Sequence, residues 1–266
     1  MAETIGVLVT GILGKMGIET ARAIKNSSGM MLIGGVDVRS QGQLLSSITG
    51  DDSDKQIIED NLDTSLETKK PDVVVDFTNP QAVFSNARTT LRHGLHCVIG
   101  ATGLSDKELG ILEELALKNQ VGVAVIPNFA IGAVVMMKLA QEAARYLSDV
   151  EIIELHHDGK IDAPSGTAIK TAEMIHQIRE ETNPGVKSEY EQYPGARGSK
   201  INNIRVHSVR LPGLVAHQEV LFGGTGQTLT IRHDAFNREC FMPGVILTIR
   251  KIVTIQGLIY GLENLI

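Results

Sequence analysis

Residues 156–168 read HHDGKIDAPSGTA and combine proton donors with a turn suited to an anion. His156 and Lys160 have ordinary pKa values of about 6.5 and about 10.4, so one exchanges protons near neutral pH and the other is a cation. The turn before the next helical pattern adds backbone N–H groups and hydroxyls at the positive end of a helix. It comprises Ser165, Gly166 and Thr167. Together these groups suit a pocket for carboxylates.

Three interpretations of this segment compete. In the first, Ser165 or Thr167 caps a helix and the two histidines lie on the surface. In the second, His156, His157 and Asp162 bind a metal. That site is weakly supported, because adjacent histidines on a strand point to opposite faces and no HxxxH or CxxC pattern is present, so we predict no metal. In the third, the segment is a catalytic site that binds an anion and supplies a general acid. Spacing alone leaves the first and third interpretations level.

A second segment that could support chemistry, TGILGKMG, lies between the first predicted strand and a helix. Gly11, Gly14 and Gly17 form GxxGxxG, in which Leu13 takes the place of the middle glycine of the usual dinucleotide fingerprint. Such a turn lets the backbone approach a pyrophosphate at the positive end of the helix, and Lys15 adds a cation. Taken alone, the pattern also fits glycines that serve packing only.

Asp37 strengthens the dinucleotide interpretation, because it ends the second predicted strand 20 residues after Gly17. An acid at this place accepts hydrogen bonds from the adenosine ribose and favours NAD. Arg39 is close enough to meet the 2′-phosphate of NADP, so both cofactors remain candidates. A hydride donor also needs an acceptor and a proton source, which favours the catalytic interpretation of residues 156–168.

Two later strand ends, GATG at 100–103 and PNF at 127–129, are expected at the same edge of the sheet. Spacing alone favours ordinary strand-to-helix connections for both.

The elements that carry these residues fall into two parts. In the first, β-branched runs alternate with helical patterns, which predicts a parallel sheet covered on both faces. The predicted strands are 5–9, 30–38, 71–78, 95–100 and 121–128. In the second part we expect helices over 132–147 and 167–181, a strand over 149–157, and antiparallel strands in KINNIRVHSVRL, HQEVLFGG and QTLTIRHDA. The last segment, 243–262, has helical spacing and is expected to pack on the first part.

Composition argues against several functional classes. The chain of 266 residues has a formal net charge of −6 and no tryptophan, so a nucleic-acid partner is not expected. Cys97 and Cys240 fit no metal spacing and suit a reducing compartment, with Cys97 buried as a small apolar residue. The first residues do not resemble a signal peptide, and no apolar stretch reaches the length of a membrane span. We therefore expect a cytoplasmic protein without a membrane partner.

The segment EIIELHHDGKIDAPSGTA resembles the signature E-x-H-H-x-x-K-x-D-A-P-S-G-T-A of the 4-hydroxy-tetrahydrodipicolinate reductases, formerly dihydrodipicolinate reductases, of bacterial lysine and diaminopimelate synthesis. The resemblance covers the whole chain, with GxxGKMG, DFTNP, GATG, PNFAIG and LFGGTGQTLTIRHDA in family order. The expected fold is α/β, with an N-terminal Rossmann-like doubly wound parallel sheet and a second α+β domain that has a mixed or antiparallel sheet. We expect a dinucleotide-binding domain over 1–128 with 239–266, and a substrate-binding and oligomerisation domain over 129–238.

The resemblance implies that NADH, NADPH or both reduce the cyclic dicarboxylate 4-hydroxy-tetrahydrodipicolinate to tetrahydrodipicolinate. It implies that His156 is the general acid/base and that Lys160 is a proton donor. Candidate substrate contacts are His157, Ser165, Gly166 and Thr167. Candidate cofactor contacts are Gly11, Ile12, Leu13, Gly14, Lys15, Met16, Asp37, Arg39, Gly100, Ala101, Thr102, Ile126, Pro127, Asn128 and Phe129. Family members are usually homotetramers joined through the sheet of the second domain, so we expect a homotetramer.

Three positions depart from the family pattern. Ala101 replaces a threonine beside the expected nicotinamide, Ala130 replaces a serine, and Val38 stands where some members have an arginine. These changes leave the choice between NADH and NADPH open. One alternative is another two-domain Rossmann dehydrogenase acting on an amino acid, which has no reason to carry HHDGKIDAPSGTA. The other is a nucleotide-sensing protein without catalysis, which predicts loss of His156 or Lys160, and both are present.

Overall fold

The computed structural model describes residues 4–179 and 190–266. In these ranges the strands are β1 (Ile5–Thr10), β2 (Met30–Val36), β3 (Val73–Asp76), β4 (His96–Ile99), β5 (Gly122–Val125), β6 (Asp149–His156), β7 (Ser199–Ile201), β8 (Ile204–Arg210), β9 (Ala216–Gly224), β10 (Gln227–Ala235) and β11 (Gly257–Tyr260). The α-helices are α1 (Lys15–Lys25), α2 (Ser46–Thr49), α3 (Leu62–Lys69), α4 (Val83–Arg92), α5 (Asp106–Lys118), α6 (Ile131–Ala143), α7 (Gly166–His176) and α8 (Met242–Ile252). Short 3₁₀-helices cover Arg238–Phe241 and Leu262–Asn264.

The chain divides into two compact units. The first consists of Met1–Phe129 together with Phe241–Ile266, and the second of Ala130–Cys240. No helix in the described ranges is long and apolar enough to cross a membrane.

The first unit is built on a parallel sheet of six strands in the order β11-β5-β4-β3-β1-β2. Residues of β3 and β5 are buried throughout, which is the pattern of strands covered on both faces. On one face, apolar side chains of α4 and α5 pack against β4 and β5, with Cys97 fully buried among them as expected. This is the doubly wound α/β architecture expected for the N-terminal part.

The strand order reverses at β1, which pairs with β2 on one side and β3 on the other. The turn after β1 contacts both neighbours. Gly11 N–H donates to the carbonyl of Val36 at 2.8 Å, and a Cβ on Gly11 would come within 2.6 Å of the carbonyl oxygen of Phe77. Ligands of such sheets bind outside the carboxyl ends of the strands at this reversal. The glycine-rich turn therefore lies where a dinucleotide site is expected.

The second unit is built on a mixed sheet of five strands in the order β10-β9-β6-β8-β7. Val150 and Ile152 on β6 and Val220 and Phe222 on β9 are buried, alternating with residues that are half-buried. This alternation is typical of a sheet with one covered face. Two helices, α6 and α7, pack against each other in the same unit.

Three predictions about the second part and the C-terminus were wrong. First, β8 and β9 are not paired as antiparallel neighbours. β6 lies between them, and β8 runs parallel to β6 because the chain between these two strands makes a crossover that includes α7. Second, KINNIRVHSVRL is a hairpin of β7 and β8, turned by Asn202 and Asn203 at φ +47° and +62°. Asparagine tolerates this left-handed conformation better than most residues.

Third, residues 243–262 are not one helix. Helix α8 ends at Ile252, and after Gly257 at φ +86° the chain pairs with β5 as the edge strand β11. The β-branched content of this segment was the signal for a strand. The predicted helix 167–181 ends at His176, and its residues 180 and 181 lie outside the described residues.

Gly17 makes a close approach on which the turn depends. A Cβ at this position would lie 2.3 Å from the carbonyl oxygen of Gly11 and 2.6 Å from the Cα of Ile12. We predict that Gly17→Ala lowers the free energy of unfolding by about 1–3 kcal/mol, the usual cost of overpacking a core. Urea denaturation followed by circular dichroism measures the change.

The matched control is Gly110→Ala in the interior of α5, where the added Cβ meets no described atom within 4 Å beyond its chain neighbours and the backbone of its own helix. There the better helix propensity of alanine should raise stability by up to about 1 kcal/mol. Equal effects of the two substitutions would contradict the packing role of Gly17.

Candidate active site

In the second unit, β6 ends at the two histidines that the sequence analysis singled out. Val150, Ile152 and Glu154 lie on the buried face of the sheet. His156 shares the face of Glu154, because side chains two residues apart on a strand point the same way. His157 lies just beyond the strand and is exposed. Of the two histidines, His156 is therefore the one next to the buried acid.

The carboxylate of Glu154 is fully buried and is surrounded by hydrogen-bond donors. Arg210 on β8 forms a bidentate ion pair with it, with both N···O distances 2.8 Å. His156 Nδ1 lies 2.5 Å from Oε2, and the backbone N–H of Ser165 donates to Oε1 at 3.2 Å. Arg210 also donates to the carbonyl of Asp162 at 2.7 Å. A single carboxylate thus links two strands, the loop after β6 and the start of α7.

These contacts set the protonation of Glu154 and His156. Burial alone raises the pKa of Glu154, but hydrogen bonds from Arg210, Ser208 and His156 outweigh it and hold that pKa below its usual value. Glu154 is therefore ionised at neutral pH and can only accept hydrogen bonds, so the proton in its contact with His156 belongs to Nδ1. The other ring nitrogen of His156, Nε2, is left to exchange protons. Burial lowers the pKa of His156, and the negative charge of Glu154 partly opposes this.

A turn leads into α7 at the predicted place. Helix α7 begins at Gly166, with Thr167 as its second residue, and Ser165 Oγ caps it by accepting from the N–H of Ala168 at 3.2 Å. The capping interpretation is thus correct for this side chain. A Cβ on Gly166 would meet no described atom within 4 Å beyond its chain neighbours and the backbone of its own helix, so the first turn is open there. N–H groups of a first turn have no acceptor within the helix and attract anions. The turn can therefore hold a carboxylate.

Lys160 lies in the loop between β6 and α7. Its Nζ contacts both carboxylate oxygens of Asp162 at 2.7 Å. Burial is the largest cause of the lowered pKa of His156, and the positive charges of Lys160 and Arg210 add to it. Lys160 is thus held in place by its own loop and is electrostatically coupled to His156. The second unit therefore carries an imidazole, an ammonium group and an open helix start in one segment of the chain.

In the first unit, the glycine-rich turn leads directly into α1. Gly14 is the N-cap, and in the described part of the chain no side chain caps this helix. The helix begins at Lys15 and Met16, so the amides of its first turn face away from the helix body. Ile12 is fully buried, and Leu13 N–H donates to Asp37 Oδ2 at 3.1 Å. The turn offers an uncapped positive helix end, which fits a pyrophosphate.

Asp37 and Arg39 form an ion pair. The sequence analysis took the acid as a marker of NAD and the arginine as a marker of NADP. Arg39 Nε and Nη2 each lie 2.9 Å from a carboxylate oxygen of Asp37, and the backbone N–H of Arg39 donates to the same carboxylate. The hydrogen bonds from Arg39 are the main cause of the lowered pKa of Asp37. Asp37 is buried, whereas 65% of the Arg39 side chain is exposed. The acid is thus covered by a guanidinium that is itself accessible to a phosphate.

The remaining candidate cofactor residues follow β4 and β5. Gly100 lies under the ring of Phe77, because a Cβ there would come within 2.1 Å of the ring. Phe77 also packs against Phe129, with ring centroids 5.6 Å apart. Because the strands are parallel, all these turns lie at one edge of the sheet. Their exposure differs: Thr102 and Pro127 are exposed, Ala101 and Asn128 are half-buried, and Ile126 and Phe129 are buried.

Three residues in these sites were missed by the sequence analysis. Glu154 was quoted in the signature but given no role, although an acid at an inward position of an alternating strand needs a partner. Arg210 carried no local signal, because its partner lies 56 residues away. Phe77 follows β3. Ligands of such sheets bind beyond the carboxyl ends of the strands, so the reasoning applied to residues 100–103 and 127–129 applies equally to Phe77.

No group of three or more histidine, cysteine, aspartate or glutamate side chains in residues 4–179 and 190–266 is arranged to hold a metal.

Comparisons with known proteins match the whole of this architecture. Family models described as the N-terminus and the C-terminus of dihydrodipicolinate reductase match residues 5–129 and 132–266. A protein of Syntrophomonas wolfei named 4-hydroxy-tetrahydrodipicolinate reductase is 55% identical over 266 residues, covering 100% of both chains. A protein of the same name from Bacillus velezensis is 48% identical over 264 residues, covering 99% of this chain and 98% of its own.

Solved structures agree with the sequence matches. A dipicolinate-bound dihydrodipicolinate reductase from Paenisporosarcina sp. TG-14 has a TM-score of 0.88 and 46% identity, covering 99% of this chain and 100% of its own. An amine dehydrogenase from Mycobacterium smegmatis has a TM-score of 0.69 at 14% identity, covering 96% of this chain and 94% of its own, and this likeness shows the fold alone. With both of its parts matched and relatives aligned from end to end, the chain belongs to the dihydrodipicolinate reductase family.

Proposed function

We propose that this protein reduces 4-hydroxy-tetrahydrodipicolinate to tetrahydrodipicolinate with NADH or NADPH, a step of lysine and diaminopimelate biosynthesis. The observation that carries the proposal is the arrangement in the second unit, where His156 and Lys160 adjoin a helix start that suits a carboxylate. Relatives that align over the whole chain bear the name of this activity, and a solved relative binds dipicolinate, a planar dicarboxylate.

The reaction defines what the protein must supply. The product lacks the ring hydroxyl of the substrate, so the ring gains one hydride and one proton and loses one water. A dihydronicotinamide, when bound, supplies the hydride. The remaining tasks belong to the protein: holding two carboxylates, protonating the leaving oxygen or the ring, and fixing the ring in place.

The second unit is suited to these tasks. Backbone N–H groups at Gly166 and Thr167 hold one substrate carboxylate at the start of α7, and Ser165 fixes this turn by capping the helix. Lys160 offsets the negative charge of the substrate and donates a proton. His156 exchanges a proton through Nε2, and His157, exposed beside it, makes a further substrate contact.

The first unit is suited to a nicotinamide dinucleotide. The uncapped start of α1, at Gly11 to Met16, holds the pyrophosphate, and Asp37 with Arg39 meets the adenosine ribose. Residues 100–102 and 126–129, at the ends of β4 and β5, lie along the same edge and contact the rest of the cofactor. The pairing of Asp37 with Arg39 supports use of both cofactors, because either the carboxylate or the guanidinium can turn to the ribose or its 2′-phosphate.

Two further parts of the proposal rest on the family resemblance. The protein is a homotetramer joined through the sheet of the second unit, and it works in the cytoplasm. An amino-acid dehydrogenase of the same fold explains the first unit but not the cluster around Glu154. A nucleotide sensor without catalysis has no use for the ordered Lys160 and His156.

Lys160→Ala tests the role of the second unit. We predict that kcat falls by about 100- to 10,000-fold, the usual contribution of a general acid or base, while the Kd for NADH is unchanged. Oxidation of NADH is followed by absorbance with substrate generated in place by the preceding synthase, and NADH binding is measured by fluorescence titration.

Lys200→Ala, an exposed lysine on β7 of the same unit, is the control and should leave kcat unchanged. Parallel losses of turnover and NADH binding in Lys160→Ala would mean that Lys160 is structural.

Arg39→Ala tests the cofactor assignment. Loss of a charged partner for the 2′-phosphate costs about 1.5–3 kcal/mol, so KM for NADPH should rise by about 10- to 100-fold. KM for NADH should be unchanged or lower, because Asp37 is freed to accept from the ribose. Arg92→Ala is the control, since Arg92 ends α4 at the opposite edge of the sheet. An equal rise for both cofactors would contradict the role given to Arg39.

A further inference from the structure

Glu154 lies at a position of β6 where the alternation of buried and half-buried residues predicts an apolar side chain. Val150 and Ile152, on the same face of β6, are buried in the core, and Glu154 is equally inaccessible to solvent. Ionised carboxylates are rarely buried without partners, and pairing seldom makes them more stabilising than an apolar side chain. Stability therefore gives little reason for an acid at this position, so its contacts must be considered for another role.

We propose that Glu154 is a positioning residue for the reduction, which fixes His156 as the Nδ1–H tautomer and locks its ring to the start of α7. This rests on the proposed function for the reaction itself, although the tautomer can be tested without it. The evidence is geometric: His156 Nδ1 lies 2.5 Å from Oε2, and Ser165 N–H lies 3.2 Å from Oε1 of the same carboxylate.

The tautomer follows from the acceptor. With Arg210 paired to both of its oxygens, Glu154 stays ionised and has no proton to donate. His156 must therefore place a proton on Nδ1, and Nε2 becomes the atom that accepts or donates during the reaction. Carboxylates that accept from one ring nitrogen of a histidine, and so leave the other nitrogen for the reaction or the metal, are common in catalytic and metal sites.

The same carboxylate ties the proton donor to the anion site. Ser165, which donates its N–H to Glu154, also caps α7 through Oγ, and Arg210 reaches the carbonyl of Asp162. Asp162 in turn holds Lys160. Movement of Glu154 would therefore shift His156, the loop with Lys160 and the start of α7 together.

Another acid on the same strand provides a matched comparison. Glu151 also pairs with an arginine and a histidine, with Arg197 at 2.5 Å and His207 at 2.8 Å. Its side chain lies on the opposite face of β6 and is 37% exposed, and neither partner belongs to the candidate site. Glu151→Gln thus removes a similar cluster from the same sheet without touching His156.

The decisive variant is Glu154→Gln, which keeps the shape and removes the charge. Ring ¹⁵N NMR reports the tautomer and titration of His156, assigned among the eight histidines by a His156→Gln variant. We expect the wild type and Glu151→Gln to show Nδ1–H, and Glu154→Gln to show mainly Nε2–H or a mixture. An unchanged Nδ1–H form in folded Glu154→Gln would overturn the proposal.

Kinetics provide the second measurement. Glu154→Gln should lower kcat by about 100-fold, at the low end of general acid–base effects, and change KM for the substrate much less. The charged groups that act on His156 are Glu154, Lys160 and Arg210. Glu154 is the negative group among these three, so its loss should lower the pKa of His156. The limb of the pH–rate profile that reports His156 should therefore move to lower pH. A loss of kcat with an unmoved limb, or the same loss in Glu151→Gln, would assign Glu154 a structural role.

In Glu154→Gln the guanidinium of Arg210 loses its carboxylate partner, which can prevent folding. The double variant Glu154→Gln/Arg210→Met removes that positive charge as well and is the second test. Neutral replacement of a buried ion pair is often tolerated, so this protein should fold and show the same change of tautomer. If the wild type oxidises neither NADH nor NADPH with the substrate, the proposed function fails. The NMR comparison still decides the role of Glu154.

Discussion

A buried carboxylate organises the second unit. Glu154 has no access to solvent, so its charge must be satisfied by protein donors, and these come from different parts of the chain. Arg210 arrives from β8, Ser165 from the start of α7, and His156 from the end of β6 itself. The central place of β6, between β8 and β9, makes this convergence possible. The arrangement of the segment 156–168 depends on it, because the ring of His156 and the turn before α7 share one acceptor.

A different constraint shapes the first unit. All six strands of its sheet are parallel, so every strand ends at the same edge and the turns with candidate cofactor residues meet there. Glycine is required where those turns touch: at Gly11 beside the carbonyl of Phe77, and at Gly100 beneath its ring. The positive end of α1 then faces the space outside the edge. Pairing of Asp37 with Arg39 places a negative and a positive charge together at the end of β2.

Much of this could be predicted from the sequence, because the signals were local. Runs of valine and isoleucine marked the buried parallel strands, and the spacing of glycines marked the turn into α1. Residues His156, Lys160 and Ser165 stand within one short segment, so their association needed no knowledge of the fold. The capping role of Ser165 was among the interpretations considered, and the structure shows that this side chain caps α7.

The missed features depend on contacts distant in sequence or on competing local preferences. Arg210 pairs with Glu154 across two strands, and no pattern near either residue identifies the partner. The direction of β8 is set by the crossover through α7 and not by its own residues. In the C-terminal segment, helical spacing continued past Ile252, but pairing with the exposed edge of β5 made a strand of residues 257–260. Tertiary pairing outweighed propensity there.

The most direct test of the account follows the absorbance of NADH and NADPH, separately, with the wild-type protein and the product of the preceding synthase. The account predicts oxidation that requires the synthase product, and the ratio of the two rates shows whether Asp37 or Arg39 dominates the choice of cofactor. No oxidation of either cofactor by a protein that still binds NADH would contradict it. That result would favour a sensor or a dehydrogenase acting on a different substrate.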